Sequence, residues 1–121
     1  MDFTERLKLY EEGGMLNKED VNDVLAIINM FKEEYGFELQ EENADTFIAH
    51  ICAAYSRNKT GEPVEELPET VKKEIESLDS YQQSLQMLNR LIEVTKNPLS
   101  QVERDYALLH INNLIARMKN S

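Results

Sequence analysis

The amino-acid sequence predicts an all-α protein, and three observations support this fold class. Apolar residues recur at spacings of three and four along most of the 121-residue chain, as they do on the buried face of a helix. The chain has only four Gly, three Pro and no Trp, a composition that disfavours an elaborate β-fold. No segment shows the alternation of apolar and polar residues that is typical of a strand. The length suits one domain with its own hydrophobic core.

Two helices are predicted in the first part of the chain. The first spans residues 2–12 and ends at a Gly-Gly pair, because glycine commonly terminates helices. The second begins after Asn17, a good N-cap, with two acids in its first turn, where the helix dipole favours negative charge. Gly36 ends it. Its apolar residues follow at helical spacing: Val21, Val24, Leu25, Ile28, Phe31 and Tyr35.

A third helix is predicted from about Asn43 to Lys59, closing before Gly61. Four of its residues share one apolar face: Phe47, Ile48, Ile51 and Tyr55. A loop that contains Pro63 follows. Pro68 then suits the first turn of a short fourth helix that runs through Ser77.

The fifth and sixth helices complete the predicted bundle. Asp79 or Ser80 caps the fifth, and the Asn-Pro pair at 97–98 breaks it. Its interior residues are Leu85, Leu88, Leu91, Ile92 and Val94. Ser100 caps the sixth, which runs to about Lys119, and Glu103 follows at capping-box spacing. We therefore expect a compact α-helical bundle.

The composition also limits the function. The chain carries 13 Lys+Arg and 23 Asp+Glu, a net charge of −10 at pH 7. This balance disfavours direct binding to nucleic acid or to an anionic membrane surface, which usually needs a basic patch. Cys52 is the single cysteine, so a disulfide framework is excluded and a reducing, cytoplasmic setting is expected. We also expect no signal peptide and no membrane span.

The two histidines of the chain stand in the same pattern. His50 and His110 each begin a sequence H-I-x5-R on a predicted helix, with Arg57 and Arg117 seven residues on. Seven residues are about two helical turns, so each histidine lies on a polar stripe beside an apolar face. We name these the first stripe, which is Asn43, His50 and Arg57, and the second stripe, which is Glu103, His110 and Arg117. Tyr106 and Asn113 flank the second stripe.

Such stripes have a defined chemistry. A neutral imidazole is a nucleophile near neutral pH and can accept a phosphoryl group from a phosphorylated donor protein without a cofactor. The product carries roughly two added negative charges, which nearby arginines can hold. Each arginine is two turns along the axis from its own histidine, so it is not a direct helix neighbour, and crossing helices could bring an arginine to either imidazole. The alternative is that both are ordinary helix histidines.

The two histidine segments resemble those of the PTS regulation domain, or PRD, family. Residues 43–57 resemble its first histidine helix, and residues 103–111, which read E-x-x-Y-x-x-L-H-I, look like the second. The resemblance covers about residues 15–121. It implies a five-helix PRD-like bundle, preceded here by a short extra N-terminal helix over residues 1–14. It also implies a homodimer.

The resemblance implies a role in the bacterial sugar phosphotransferase system. Its phosphoacceptors would be His50 and His110, which the phosphocarrier HPr or an EIIB component would phosphorylate. Arg57 and Arg117 would support the phosphate, and four residues would surround the site: Asn43, Glu103, Tyr106 and Asn113. The sequence contains one such domain and no effector domain, so the expected partner is another regulator or an enzyme.

Three other hypotheses stay open at this point. The chain can be a structural helical dimer or adaptor whose histidines are incidental. A small enzyme with an acid–base pair of His110 and Glu103 is ranked last, because residues seven apart do not touch within a helix. A metal site is disfavoured, since His50 and Cys52 point about 200° apart on one helix. We therefore expect no cofactor, no metal and no catalytic residue.

Overall fold

The structure is a computed structural model that describes residues 2–119. It contains six α-helices: α1 Phe3–Glu12, α2 Lys18–Tyr35, α3 Glu41–Thr60, α4 Glu69–Glu76, α5 Tyr81–Val94 and α6 Gln101–Lys119. Residues 2–119 contain no strand. The predicted all-α class is confirmed, and each predicted helix is present.

The ends of α2 and the end of α3 follow local rules that the sequence already displays. The side chain of Asn17 accepts from the Asp20 amide at 2.8 Å, and the Asp20 carboxylate accepts from the Asn17 amide at 2.9 Å. This reciprocal capping box satisfies two amides that have no partner within the helix. Gly36 and Gly61 close α2 and α3 with φ values of 70° and 74°, a left-handed conformation that favours glycine.

Two of the predicted helix starts differ in detail. Helix α3 begins two residues before Asn43, because the Asn43 side chain accepts from the Gln40 amide at 2.9 Å and thereby stabilises the first turn. At α6 the Ser100 hydroxyl accepts from the Glu103 amide at 3.2 Å, which is half of the predicted capping box. The Glu103 carboxylate instead accepts from Arg57.

Four helices enclose the hydrophobic core. Helix α3 packs between α2 and α6, and α5 also packs between α2 and α6, which closes a ring of four helices. Helix α4 lies against α6 and α1 against α2. The predicted apolar face of α3 is buried, as Phe47, Ile48, Ile51 and Tyr55 are each at most 2% exposed. Burial of these side chains supplies the main driving force for packing the helices together.

Helix α1 joins the same core rather than standing apart from it. Phe3 and Leu7 are buried in the central apolar cluster. Arg6 pairs with Glu41 at 3.0 Å and with Asp45 at 2.6 Å, both on the first turns of α3. Across residues 2–119 no helix combines the length and the hydropathy that crossing a bilayer requires.

Candidate functional site

The antiparallel packing of α3 against α6 brings the two stripes face to face. Moving seven residues toward the C-terminus of α3 corresponds to moving seven residues toward the N-terminus of α6. Three contacts join the stripes: Asn43 with Arg117, His50 with His110, and Arg57 with Glu103. Two stripes that are 46 to 74 residues apart in sequence thus form one polar seam across the helix interface.

The two imidazoles lie in contact at the middle of this seam. The ring centroids of His50 and His110 are 5.1 Å apart, with an angle of 33° between the planes. The ring of Tyr106 also lies near His50, with the ring centroids 5.8 Å apart. The His50 side chain is 9% exposed. The structure therefore brings His50, His110 and Tyr106 together into one cluster of rings.

Burial keeps both rings neutral at neutral pH. Burial, followed by the charge of its neighbour His50, lowers the pKa of His110 to about 4. Burial also lowers the pKa of His50, although Glu103 acts in the opposite direction. A buried imidazole is costly to charge, so each ring retains a nitrogen lone pair. This is the form that a nucleophile needs.

Glu103 organises the seam from the α6 side. It is 3% exposed, and both of its carboxylate oxygens accept from Nη2 of Arg57, at 3.0 and 3.1 Å. Its main-chain carbonyl accepts from Nε2 of His50 at 3.2 Å, and its Oε2 atom lies 4.0 Å from the same nitrogen. The last-ranked hypothesis paired Glu103 with His110, whereas the structure places the Glu103 carboxylate beside His50.

Arg57 lies at the edge of the buried seam. Its side chain is 26% exposed, and it borders an open groove of about 370 Å³ between residues 61–64 and the start of α6. An anion in this groove would meet a guanidinium that already has a carboxylate partner. Arg57 is therefore the arginine that the fold places near the imidazoles, supplied by the same helix as His50 and anchored by the crossing helix.

Residues 61–68, which we call the strap, cross the first half of α6. The hydroxyl of Tyr106 donates to the main-chain carbonyl of Glu65 in the strap at 2.8 Å. Leu67 is buried and anchors the strap farther along. Tyr106 therefore connects the His50 ring to the strap, and its hydroxyl does not reach either imidazole.

The other predicted site residues lie away from the imidazole pair. Arg117 is exposed and donates from Nη1 to the main-chain carbonyl of Asn43 at 3.1 Å, two turns from the histidines. The Asn43 side chain caps α3 and also donates to the carbonyl of Glu38. Asn113 is exposed on α6. The roles given to these residues stay predictions.

Cys52 is buried on the core side of α3, where burial raises the pKa of its thiol to about 11. It is therefore a packing residue in this fold. Within residues 2–119 no group of three His, Cys, Asp or Glu side chains is arranged to hold a metal ion.

A buried polar clasp was missed by the sequence reasoning. Asp23 is 4% exposed and accepts from the amides of Lys96 and Asn97, at 2.8 to 3.1 Å. The Asn97 side chain donates to both Asp23 and Asp20, and Lys59 forms an ion pair with Asp20. The clasp holds the loop that leads into α6. The sequence did contain a sign of this clasp. Asp20 and Asp23 fall on the apolar face of α2, and a buried carboxylate there requires a hydrogen-bond partner.

A second missed network joins α5 to α6. Asn112 is 3% exposed, and its amide donates to Ser84 at 2.9 Å and to the carbonyl of Leu108 at 2.9 Å. Its side-chain oxygen accepts from the Ser80 hydroxyl at 2.6 Å. This explains why Ser80, at the predicted cap position of α5, directs its hydroxyl toward α6.

Comparisons with known proteins agree with the fold and with the resemblance. The family described as PRD domain matches residues 25–114, which are 90 of the 121 residues. The chain is 22% identical over 109 residues to the uncharacterized protein YhfY of Escherichia coli (strain K12), covering 90% of this chain and 91% of YhfY. No solved structure gives a significant match. Because the family match covers most of the chain, the protein belongs to the PRD domain family of regulatory domains linked to the phosphotransferase system.

Proposed function

We propose that the protein is a phosphorylation-responsive regulatory module that accepts a phosphoryl group on His50, on His110 or on both. The donor is HPr or an EIIB component of the phosphotransferase system, since PRD domains interact with components of that system and with regulators. The observation that carries the proposal is the pair of imidazoles in contact at the centre of the α3–α6 seam, beside the Arg57–Glu103 ion pair.

Phosphoryl transfer to a histidine requires a lone pair on a ring nitrogen and a cationic group that holds the new negative charge. The low pKa of both imidazoles supports the first requirement, because the neutral ring is the nucleophile. Arg57 supports the second, because guanidinium groups form strong charge-assisted hydrogen bonds with phosphoryl oxygens. In this proposal Arg117 and Asn43 stabilise the far end of the α3–α6 crossing, and Asn113 is available on the outer surface of α6.

The phosphoryl group would change the helix packing through Glu103. Two like unit charges about 4 Å apart repel by roughly 4 kcal/mol at an effective dielectric constant near 20. A phosphoryl dianion near His50 would also compete with the Glu103 carboxylate for Arg57. Because Glu103 lies in the first turn of α6, weakening its bond to Arg57 would loosen the start of α6 against α3. We propose that partners recognise this change.

The output in this proposal is a protein contact. The net charge of −10 disfavours a direct contact with nucleic acid, so the expected partner is a regulator or an enzyme. We further propose a homodimer that acts in the cytoplasm. Residues 15–121 would form the PRD-like five-helix domain, and α1 would be the short accessory helix. No cofactor takes part.

The test is the intact mass of the protein after incubation with phosphoenolpyruvate, enzyme I and HPr, and separately with an EIIB donor. The chain has two histidines, so His50→Ala, His110→Ala and the double variant cover all of its imidazoles. We expect an acid-labile mass gain of one or two phosphoryl groups that the double variant lacks. Circular dichroism checks that each variant folds. A wild-type protein that gains no mass, with the relay active on a control substrate, would overturn the proposal.

One observation favours a second candidate function. The His50 side chain is only 9% exposed and is hydrogen-bonded to main chain, as a purely structural histidine would be. The protein would then be a helical dimer or adaptor that needs no phosphorylation. In that case the alanine variants keep partner binding and self-association, and the phosphorylation assay is negative.

A further inference from the structure

The two ring nitrogens of His50 are in different environments. Nε2 lies 3.2 Å from the main-chain carbonyl oxygen of Glu103. A carbonyl oxygen can only accept a hydrogen bond, so Nε2 must carry the proton that is donated to it. In a neutral imidazole the other nitrogen, Nδ1, then holds the free lone pair. The position of Glu103 thus selects one tautomer of His50.

The negative charge near Nε2 also disfavours a phosphoryl group on that nitrogen. The Glu103 carboxylate is almost fully buried, and its Oε2 atom lies 4.0 Å from Nε2. A phosphoryl group on Nε2 would remove the hydrogen bond to the carbonyl and place a dianion beside two oxygens that carry negative charge. Arg57 already donates to both oxygens of that carboxylate. Phosphorylation at Nε2 would therefore remove the hydrogen bond to the Glu103 carbonyl, whereas phosphorylation at Nδ1 leaves that hydrogen bond in place.

We propose that His50 accepts the phosphoryl group on Nδ1, with Glu103 acting as a positioning residue that keeps the proton on Nε2. This inference rests on the proposed function and specifies the reacting atom of the same site. The lone pair of Nδ1 forms a new P–N bond to the phosphorus of the donor's phosphohistidine. The P–N bond of the donor breaks, and its electron pair returns to the donor imidazole. No proton leaves His50, because Nδ1 carries none.

A His50 ring phosphorylated on Nδ1 would interact favourably with both the carbonyl and the carboxylate of Glu103. A phosphorylated ring that keeps Nε2–H still donates to the carbonyl. The nearby carboxylate then stabilises the partial positive charge that the ring acquires, since opposite charges a few ångströms apart in a buried site attract strongly. Glu103 would thus hold His50 in one orientation before and after transfer.

The first test needs no phosphorylation. Long-range ¹H–¹⁵N correlation spectra of ¹⁵N-histidine-labelled protein at neutral pH distinguish protonated from unprotonated ring nitrogens. The chain has two histidines, and the variant His110→Gln assigns the signals of His50. We expect His50 to be protonated at Nε2 and unprotonated at Nδ1. A His50 ring protonated at Nδ1 would overturn the inference.

The second test locates the phosphoryl group. After phosphorylation of wild type and His110→Gln, ³¹P spectra and the ¹⁵N shifts of the ring distinguish Nδ1-phosphohistidine from Nε2-phosphohistidine. We expect the Nδ1 isomer on His50 in both proteins. An Nε2 isomer, or a phosphoryl group on His110 alone, would overturn this inference while leaving the proposed function intact. A chain that an active relay does not phosphorylate at all would contradict both.

Discussion

Arg57 of α3 and Glu103 of α6 form a two-oxygen ion pair, with distances of 3.0 and 3.1 Å, at the edge of the imidazole pair. Glu103 is 3% exposed and Arg57 is partly open to solvent. The pair therefore connects the interior of the α3–α6 interface with the open groove beside residues 61–64. It also links the position of α6 to the contacts of His50, through the main chain of Glu103.

Loss of Arg57 should destabilise the fold. Arg57→Ala leaves the buried Glu103 carboxylate without its guanidinium, and we expect a loss of about 1–3 kcal/mol in the free energy of unfolding. Urea unfolding followed by circular dichroism measures it. Arg117→Ala is the matched control, because its guanidinium contacts one main-chain carbonyl at an exposed position, and it should cost less than about 1 kcal/mol.

The double variant Arg57→Ala/Glu103→Ala separates pairing from packing. Arg57→Ala alone leaves the Glu103 carboxylate buried without its partner, whereas the double variant removes both charged groups. We therefore expect the double variant to lose less free energy of unfolding than the sum of the two single losses. If the loss in the double variant equals the sum of the losses in the two single variants, the ion pair contributes nothing to stability.

His110 should make stability depend on pH. Its pKa falls from about 6.5 when exposed to about 4 in the fold, because burial disfavours the charged ring. Between these values the unfolded chain binds more protons than the folded chain, so stability decreases as the pH falls from about 6.5 toward 4. Above that window the contribution is complete.

The pH effect can be isolated with His110→Gln. Urea midpoints at pH 7 and pH 5 should decrease more in the wild type than in the variant, because glutamine does not titrate. His50 acts in the same direction, since its pKa is also lowered, so the variant keeps part of the effect. An equal decrease in both proteins would contradict a lowered pKa of His110 in the fold.

The strap should limit access to His50. Tyr106→Phe keeps the ring against His50 and removes only the hydroxyl that donates to Glu65. We expect a stability loss of about 0.5–1.5 kcal/mol and a faster rate of phosphorylation by the relay, since the strap is released. Tyr35→Phe, on α2, is the matched control and should leave that rate unchanged. A Tyr106→Phe rate equal to wild type would show that the strap does not control access.

The polar clasp should hold α6 in place from a distance. Asp23→Asn replaces a carboxylate that accepts from two main-chain amides and the Asn97 side chain, so several donors lose part of their partner. We expect a loss of about 1–3 kcal/mol. Hydrogen exchange should increase in residues 95–104 more than in α1. Protection that stays unchanged in residues 95–104 would show that the clasp does not position α6.

Much of the fold could be predicted because helix boundaries depend on local chemistry. Asn17 and Ser100 cap their helices and Gly36 closes α2, as their types suggest. Helix α3 starts two residues before its predicted start, because Gln40 is a weak capping type and the bond from its amide to Asn43 is not evident from composition. The clasp of Asp20 and Asp23 was missed because its donors lie more than 70 residues away in sequence, apart from Lys59.

The sequence by itself determined the residue types of the seam and the helix faces that carry them. Seven-residue spacing follows from the helical repeat, so His50 and Arg57 must share one face, as must Glu103 and His110. Only the tertiary structure decided which residues meet. The direction and register of the α3–α6 crossing depend on how the whole apolar core packs, and they place Arg57 at Glu103 and leave Arg117 at the far end. The tautomer of His50 follows from that register, since it depends on one main-chain carbonyl of a neighbouring helix.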